Sequence, residues 1–388
     1  MKWFGRKAAA EVSRPVLARA WMHALGSPMG DWPQSYEAQV RTAVLANPVA
    51  QRALRLVSDA VGDAVVAAVA DDPADAARAV ALVGARSAGQ GLMATLAVHV
   101  LLHGNGYAQI GEGAGGEPAR LFALRPERVS VEPDASGWPV AYAYRVGDSV
   151  ARYPAEDGLG RTGVIHVRTL NPLDDHYGLG CLGAAAGAVA IHNAATRWNK
   201  ALLDNAARPS GALVYDAPDG AALSPDQFDR LREELEAAYQ GAGNAGRPML
   251  LEGGLKWQAL SLSPADMDFV GLKAAAARDI ALAFGVPPML LGLPGDNTYA
   301  NYREANRALW RQTALPLAGL ILGAVAQGLA GWMPGLSLSV DLNRLPALAE
   351  ERGMLWDRVA AADFLSRAEK RAMLGIAPVE DWEAGDEG

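Results

Sequence analysis

The sequence predicts an α+β fold, in which long helices and short, mainly antiparallel strands occupy separate stretches of the chain. Two early stretches, Asn47–Val69 and Ser87–Leu102, place apolar residues at helical spacing and predict helices. Short β-like runs separated by Gly, Pro and Asp follow, up to about residue 170. Two long helical stretches, Gly183–Ala207 and Pro264–Phe284, then bracket an α/β insert at 208–263. This layout is that of a stalk carrying a small head.

Length, charge and cysteine content narrow the class of protein. The chain has 388 residues, enough for two or three modules that each bury a core. Its net charge of −8 argues against a protein that grips nucleic acid through a dense basic surface, but not against one that lets nucleic acid slide past. The single cysteine, Cys181, excludes an intramolecular disulfide framework and suits a cytoplasmic product. We interpret the opening MKWFGRKAAAEVSRP as a short basic-aromatic arm, because it lacks the apolar core of a secretory signal.

Capping residues mark the helices of the second half. In the insert, Ser224, Pro225 and Gln227 predict a helix start with a capping box, and Gly241 predicts its end. Strands are predicted on both sides of this helix, the later two joined by a turn at Gly253-Gly254.

The next helix repeats this capping logic. Ser263, Pro264 and Asp266 predict its start, and Gly285 followed by two prolines predicts its end. The first capped helix therefore lies inside the insert, and the second is the long helix that follows it.

Turn residues at Pro294–Asn301 predict an exposed loop. Asn301 with Glu304 predicts the cap of a further helix, which runs to about Trp332 and is kinked at Pro316. The remainder predicts a strand, LSLSVDLN, one or two short helices and an acidic tail.

The uncharged stretch Ala314–Met333 leaves a membrane alternative open. It has the length of a bilayer-spanning helix and contains a GxxxG at Gly319 and Gly323. A helix buried inside a large assembly is also apolar all round. Pro316, Gln327 and the lack of a following basic cluster favour burial in protein. The alternative is an oligomeric membrane channel through residues 314–333.

Gly178, Gly180 and Gly183 spell G-x-G-x-x-G at the start of an Ala-rich helix, as in a dinucleotide-binding loop. In such a loop the glycines follow a strand directly, whereas NPLDDHY intervenes here, and no later strand supplies the acidic partner. Small residues also let one backbone pass close to another. We therefore favour close packing, with a nucleotide-dependent oxidoreductase that uses Gly178–Gly183 as the alternative.

Two histidine patterns are weak candidates for a metal site. His99 and His103 stand at i, i+4, but Val100 occupies the position at which a metalloprotease helix carries its Glu. Asp174–His176 has ligand atoms, but no second cluster supports it. We therefore predict no metal, no cofactor and no catalytic residue.

Arg303, Arg307 and Arg311 follow one another at i+4 and so share one helix face. One interpretation is a solvated stripe, or pairing with Glu304 and partners elsewhere. The other is a weak contact with a polyanion, since three arginines in an acidic chain do not make a tight site.

Eight stretches follow one another between about residues 47 and 332. They are NPVAQRALRLVSDAVGDA, LLHGNGYAQI, LRPERVSVEPD, VIHVRTLNPLDDHYGLGCLGAAAGAVAIHNAA, ARPSGAL, PMLLEGGLKWQALSLSPADMDFV, ARDIALAFGVPPMLLG and NTYANYREANRALWRQTALPL. In this order they resemble the HK97-type portal proteins of tailed bacteriophages. The most specific parts are GVPPMLLG with the Asn-Tyr-rich loop after it, and LLEGGLKWQALS. The resemblance leaves open a phage, a prophage or a gene transfer agent, which is a phage-derived particle.

The resemblance implies a structural protein without catalysis of its own. Portal proteins form a ring, usually a dodecamer, that replaces one pentamer of the major capsid protein at a single vertex of the virion. The ring assembles in the bacterial host cytoplasm and conducts double-stranded DNA during packaging and ejection. It docks the terminase large subunit, which carries the ATPase, and later the head–tail adaptor. No membrane and no cofactor are implied.

The resemblance also implies a division of the chain. It gives an N-terminal arm at 1–46, a wing at 47–182 with a strand return at 335–346, stem helices at 183–207 and 264–285, a clip at 208–263, a tunnel loop and kinked tunnel helix at 286–334, and a crown with an acidic tail at 347–388. The predicted α+β fold is then a portal-type subunit with an α/β wing, long stem helices, a small α/β clip and a short helical C-terminal crown. The extent of the crown stays open, because SRAEKRAMLGIAPVEDW only loosely echoes the family's C-terminal Asn-Glu-x-Arg motif.

Two sets of residues follow as hypotheses. The DNA-facing tunnel set is Asp296, Asn297, Thr298, Tyr299, Asn301, Arg303, Arg307 and Arg311. The set for contact with the motor or adaptor lies on the clip helix and is Asp229, Glu233 and Glu236. Of the tunnel set, we expect the loop residues Asp296, Asn297, Thr298 and Tyr299 to touch duplex DNA without reading base sequence.

Overall fold

The structure is a computed structural model that describes residues 32–87, 89–204, 211–215, 224–239, 255–259, 268–293 and 299–376. Long helices alternate with small antiparallel sheets in these residues, which confirms the predicted α+β fold class. The predicted turn at Gly253-Gly254 and the predicted helix end at Gly241 lie outside the described residues.

The helices are numbered in chain order. They are α1 Tyr36–Val40, α2 Pro48–Gly62, α3 Pro73–Gly84, α4 Leu92–His103, α5 Leu182–Asp204, α6 Pro225–Tyr239, α7 Phe269–Ala283, α8 Tyr299–Leu309, α9 Leu315–Leu329, α10 Ala349–Ala361 and α11 Arg367–Met373. Two π-helical segments, Arg41–Leu45 and Trp310–Ala314, follow α1 and join α8 to α9.

The strands are short, and every described pairing is antiparallel. They are β1 Val66–Val69, β2 Arg86–Ser87, β3 Gln90–Gly91, β4 Asn105–Glu112, β5 Pro118–Leu124, β6 Val129–Pro133, β7 Pro139–Val146, β8 Ser149–Pro154, β9 Val164–Arg168, β10 Gly211–Tyr215, β11 Leu255–Ala259 and β12 Ser337–Val340. Two three-stranded sheets have the orders β5-β4-β9 and β6-β7-β8. The predicted small antiparallel sheet is therefore confirmed, as two sheets.

The main core lies between α2, α4, α9 and the sheet centred on β4. Leu96 of α4 and Ile321, Leu322 and Val325 of α9 are fully buried there. Burying an aliphatic side chain of this size contributes about 1.5–3 kcal/mol. The predicted burial of the uncharged helix in protein is thus correct for one of its faces.

The first predicted helix is too long at its end. The predicted stretch starts at Asn47, which caps α2 with its side chain accepting from the backbone N–H of Val49 and Ala50. The helix ends at Gly62, and Val66–Val69 forms β1 against Ser337–Val340. An apolar VAAV fits a helix or a strand equally well in sequence, and the distant partner strand decides between them.

The second predicted helix begins late, and α3 was not expected. The stretch predicted to start at Ser87 first forms the β2–β3 hairpin, and α4 starts at Leu92. Asp72 caps α3 through the N–H of Ala74, with Pro73 in the first turn. This is the Asp-Pro signature of a helix start, so α3 was visible in the sequence.

The helices of the second half confirm one predicted cap and correct one, and the cap predicted at Ser263, Pro264 and Asp266 lies outside the described residues. At α6, Ser224 and Gln227 make both bonds of the predicted capping box, at 2.9 and 3.3 Å. The stretch predicted to start at Pro264 is described as a helix only from Phe269, with Asp268 as N-cap at φ 39°. Asn301 lies inside α8, which starts at Tyr299, so the cap predicted at Asn301 is wrong.

A π-helical segment lies next to Pro316, where a kink was predicted, and the kink itself stays a prediction. Pro316 sits in the first turn of α9, directly after Trp310–Ala314. Proline lacks an N–H and crowds the carbonyl four residues before it, and a wider turn relieves both problems. The long helix therefore continues past its proline.

Candidate functional site

The glycine motif forms a tight backbone crossing. Gly178 lies against the backbone of Gly104, and Gly180 lies against the carbonyl of Leu102, so closely that a Cβ at either position would clash. Gly183 has no described atom near such a Cβ. The backbone N–H of Cys181 bonds the carbonyl of Leu101 at 2.8 Å. The end of α4 therefore fills the space that a pyrophosphate takes in a dinucleotide loop.

Asn105 ties this crossing to the sheet. Its Oδ1 accepts from the backbone N–H of Gly178 at 2.8 Å, which fixes the orientation of the amide. The Nε2 of His166 donates to the same oxygen at 3.0 Å. The Nδ2 of Asn105 then faces the Nδ1 of His103 at 3.1 Å, which must accept. One buried amide thus holds two neutral histidines and the entry to α5.

Burial keeps the histidines of this region neutral. Burial and, after it, the positive charge of Arg168 lower the pKa of His166 to about 3. His166 also stacks on Tyr107, with ring centroids 4.4 Å apart. Burial lowers the pKa of His99 to about 4 and shifts that of His103 in the same direction. These histidines are therefore packed inside the subunit in their neutral form.

The candidate Asp174–His176 makes a turn instead of a metal site. The Oδ1 of Asp174 accepts from the backbone N–H groups of His176 and Tyr177, at 2.7 and 3.0 Å. Within the described part of the chain, no group of three or more His, Cys, Asp and Glu is placed to hold a metal ion.

The three arginines share one face, as predicted, and that face carries partners from α10. Glu350 pairs with Arg303 at 3.6 Å and with Arg307 at 3.2 Å. Glu351 pairs with Arg307 at 3.1 Å and also with Arg311. We refer to these five residues together with Glu304, which pairs with Arg307 at 3.1 Å, as the arginine–glutamate cluster.

The arginine–glutamate cluster has a protected centre and open ends. The side chains of Arg307 and Glu351 are 21% and 20% exposed, whereas those of Arg303 and Arg311 are 53% and 58% exposed. Three arginines face three glutamates, so the cluster has no formal net charge. Two interpretations of the three arginines were open, pairing with other residues and contact with a polyanion. In the single subunit the arginines pair with other residues. Whether the face borders a channel depends on the ring and stays a prediction.

Sequence reasoning did not find Glu350 and Glu351, because their contact with α8 is tertiary. Their only local signal is an acidic pair in the first turn of a helix, which is favourable wherever a helix begins. Sequence reasoning did not identify Asn105 either. Its one local signal is its position directly after Gly104 in HGNGY, where the chain reverses.

The remaining members of the tunnel set are only partly described. Asp296, Asn297 and Thr298 lie outside the described residues, and Tyr299 begins α8. Asn301 is exposed in the first turn of that helix. The loop and its contact with DNA therefore stay predictions.

The clip set lies on α6. Asp229 and Glu233 are exposed, and Asp229 pairs with Arg232 at 3.6 Å. Glu236 lies on the same helix. The positions agree with a solvated acidic surface and stay a hypothesis for contact with a partner.

The helix Asn301–Leu329 is long and apolar enough to cross a membrane, by length and composition alone. One of its faces packs into the core through Ile321 and Leu322. On the opposite face, Leu320 is 39% exposed, and a methyl group at Gly319 or Gly323 would meet no described atom within 4 Å. The apolar helix thus has one face inside the subunit and one face open.

Comparison with known proteins places this fold in a family. The family model for the phage portal protein matches residues 48–375, which is most of the chain. A protein of Rickettsia bellii (strain RML369-C) is 40% identical over 301 residues, covering 76% of this chain and 76% of that protein. The chain therefore belongs to the phage portal protein family.

Solved structures agree in fold. A chain from the virion of a native gene transfer agent particle is 46% identical, with a TM-score of 0.67, covering 91% of this chain and 97% of that one. The same values hold for a chain in the neck of a native gene transfer agent particle computed with C12 symmetry. An HK97-family phage portal protein from Corynebacterium diphtheriae shares the fold alone, at 18% identity with a TM-score of 0.55 over 80% of this chain and 98% of that one.

Proposed function

We propose that this chain forms a portal ring at one capsid vertex, through which double-stranded DNA enters during packaging and leaves during ejection. The observation that carries the proposal is the family match over residues 48–375, together with 46% identity over 91% of the chain to a protein of a gene transfer agent particle. The C12 symmetry of the related neck supports a dodecamer. The identity favours a gene-transfer-agent-like particle among the phage-derived alternatives.

The division into wing, stem, clip, tunnel helix and crown belongs to the same proposal. The side-by-side packing of α5 and α7, with Trp198 stacked on Phe269 at 4.3 Å, supports a pair of stem helices. The antiparallel pair β10–β11 and α6 support a small clip between them. The helices α10 and α11 support a short helical crown, and the acidic tail lies outside the described residues.

The partners follow from this assignment. The wing meets the major capsid protein, and the clip meets first the terminase large subunit and then the head–tail adaptor. The terminase supplies the ATPase, so the portal acts as a structural platform rather than as an enzyme. The ring assembles in the cytoplasm of the bacterial host and stays in the neck of the particle.

Negative-stain electron microscopy of the purified full-length protein tests the ring. We expect closed rings with a central hole and, in class averages, twelve subunits. Particles that remain monomers or dimers at all concentrations, in the presence of the capsid protein as well, would contradict the proposal. Membrane fractionation of the expressing cells is a second readout, because the membrane-channel alternative requires the protein to sediment with membranes.

A further inference from the structure

The arginine–glutamate cluster points to a function that a simple packing contact does not need. We propose that Glu350 and Glu351 mask a duplex-DNA site formed by Arg303, Arg307 and Arg311, so that phosphates exchange with carboxylates instead of being held. This inference rests on the proposed portal function, because it assumes that duplex DNA reaches the cluster. In this proposal, Glu350 and Glu351 set the affinity of the ring for duplex DNA.

The pairing geometry supports masking. Each glutamate bridges two arginines, Glu350 between Arg303 and Arg307 and Glu351 between Arg307 and Arg311. Guanidinium groups spaced in this way bind phosphate oxygens in the same manner as carboxylates. Each carboxylate therefore sits between two guanidinium groups, as a bridging phosphate would.

Exposure makes the exchange accessible. Arg303 and Arg311 keep more than half of their side-chain surface in solvent, and so does Glu350 at 60%. Ion pairs this exposed contribute about 0–1 kcal/mol, so a polyanion can compete with them. The pair of Arg307 with Glu351, which is about one-fifth exposed, stays as the anchor of the cluster.

The negative charges of Glu350 and Glu351 remain stabilised when the arginines bind DNA instead of these glutamates. Both lie in the first turn of α10, where the helix dipole stabilises a carboxylate. The helix also has other attachments, since the Arg352 guanidinium donates to the Oδ1 of Asn343 at 2.6 Å and to the carbonyl of Leu374 at 2.7 Å. Release of the arginines therefore does not require release of α10.

The matching charge also fits a conduit. The cluster balances three positive against three negative charges, in a chain of net charge −8. Unmasked arginines would instead neutralise phosphates and release counterions, which makes binding tight at low salt. Masking therefore keeps the guanidinium groups in place while lowering the net electrostatic attraction between the cluster and DNA.

Fluorescence anisotropy with a labelled short DNA duplex tests the masking on assembled rings. The double variant Glu350→Gln/Glu351→Gln should bind the duplex at low salt, where the unaltered ring binds weakly. If two phosphate contacts are gained, affinity should fall about tenfold more than for the unaltered ring between about 50 and 200 mM salt. Adding Arg303→Gln and Arg311→Gln should return both affinity and salt dependence to the starting values.

A matched control separates masking from net charge. The variant Glu37→Gln/Glu132→Gln removes two carboxylates that also pair with arginines, Arg41 at 2.7 Å and Arg152 at 2.6 Å. An equal gain of affinity in this control would overturn the proposal, and so would no gain in the Glu350→Gln/Glu351→Gln ring. If that double variant does not fold, Glu350→Gln alone should give about half the added salt dependence. Rings seen by microscopy without any gain in binding refute the masking and leave the portal function standing.

Discussion

At the scale of single residues, Asn105 shows how one side chain can fix a chain crossing. It accepts from Gly178 and His166 and donates to His103, and it is 1% exposed. Asn105→Ala leaves two buried donors without an acceptor, and each costs about 1–3 kcal/mol. We expect the thermal midpoint of the subunit to fall by about 2–7 °C. Asn171→Ala, which removes two local turn bonds, one to the carbonyl of Tyr177 and one from the backbone N–H of Leu173, serves as the control and should lower it by less.

The buried histidines predict acid sensitivity. Burial lowers the folded-state pKa of His99 to about 4, whereas the unfolded chain titrates near 6.5. Below pH 6.5 the unfolded state therefore takes up a proton that the folded state does not, and stability is lost as the pH falls from about 6.5 towards 4. The Nδ1 of His99 has no hydrogen-bond partner among the described residues, so Leu can replace it without stranding a donor.

His99→Leu should flatten this acid loss. Removing one such histidine reduces the dependence of the free energy of unfolding on pH by up to about 1.4 kcal/mol per pH unit between about pH 6.5 and 4. Thermal unfolding at pH 7.5, 6.5, 5.5 and 4.5 (about one unit apart, across the window) measures the effect. Curves for the variant and the unaltered protein that stay parallel would show that His99 does not contribute.

At the scale of elements, the glycine motif divides into required and dispensable positions. Gly180→Ala forces a Cβ into the carbonyl of Leu102, so we expect a loss of at least about 2 kcal/mol or failure to fold. The methyl group of Gly183→Ala meets no described atom and lies in the first turn of α5, so it should stabilise the subunit by up to about 1 kcal/mol. Chemical denaturation of the two variants checks the pair. Equal destabilisation at both positions would contradict the crossing.

The elements also show what a sequence can predict. Caps with local bonds, such as Asn47 and Ser224, were predictable because donor and acceptor lie within a few residues. The strand Val66–Val69 and the pairing of Glu351 with Arg307 were not, because each depends on a partner distant in sequence. The shared face of the arginines was predictable from spacing, whereas its neutralisation by α10 was not.

At the scale of the whole molecule, we expect the same apolar helix to serve both the fold of the subunit and the assembly of the ring. Its inner face is filled by Ile321 and Val325, so the subunit does not need the outer face for its own core. A closed ring needs apolar contacts between copies, and an obligate interface is more hydrophobic than ordinary surface. The open face at Gly319, Leu320 and Gly323 offers such a contact on a rigid element.

Two substitutions on opposite faces of this helix separate folding from assembly. Leu320→Asp places a charge on the open face, so the subunit should keep its thermal midpoint while rings are lost, since an unpaired charge in an interface costs several kcal/mol. Val325→Ala removes two buried methyl groups and should lower subunit stability by about 1–3 kcal/mol. Mass photometry counts the subunits and thermal unfolding follows the fold. Rings of normal size from Leu320→Asp would exclude this face from the interface between subunits, and the ring would then have to close through α5 and α7, where Ile191 and Leu282 are exposed.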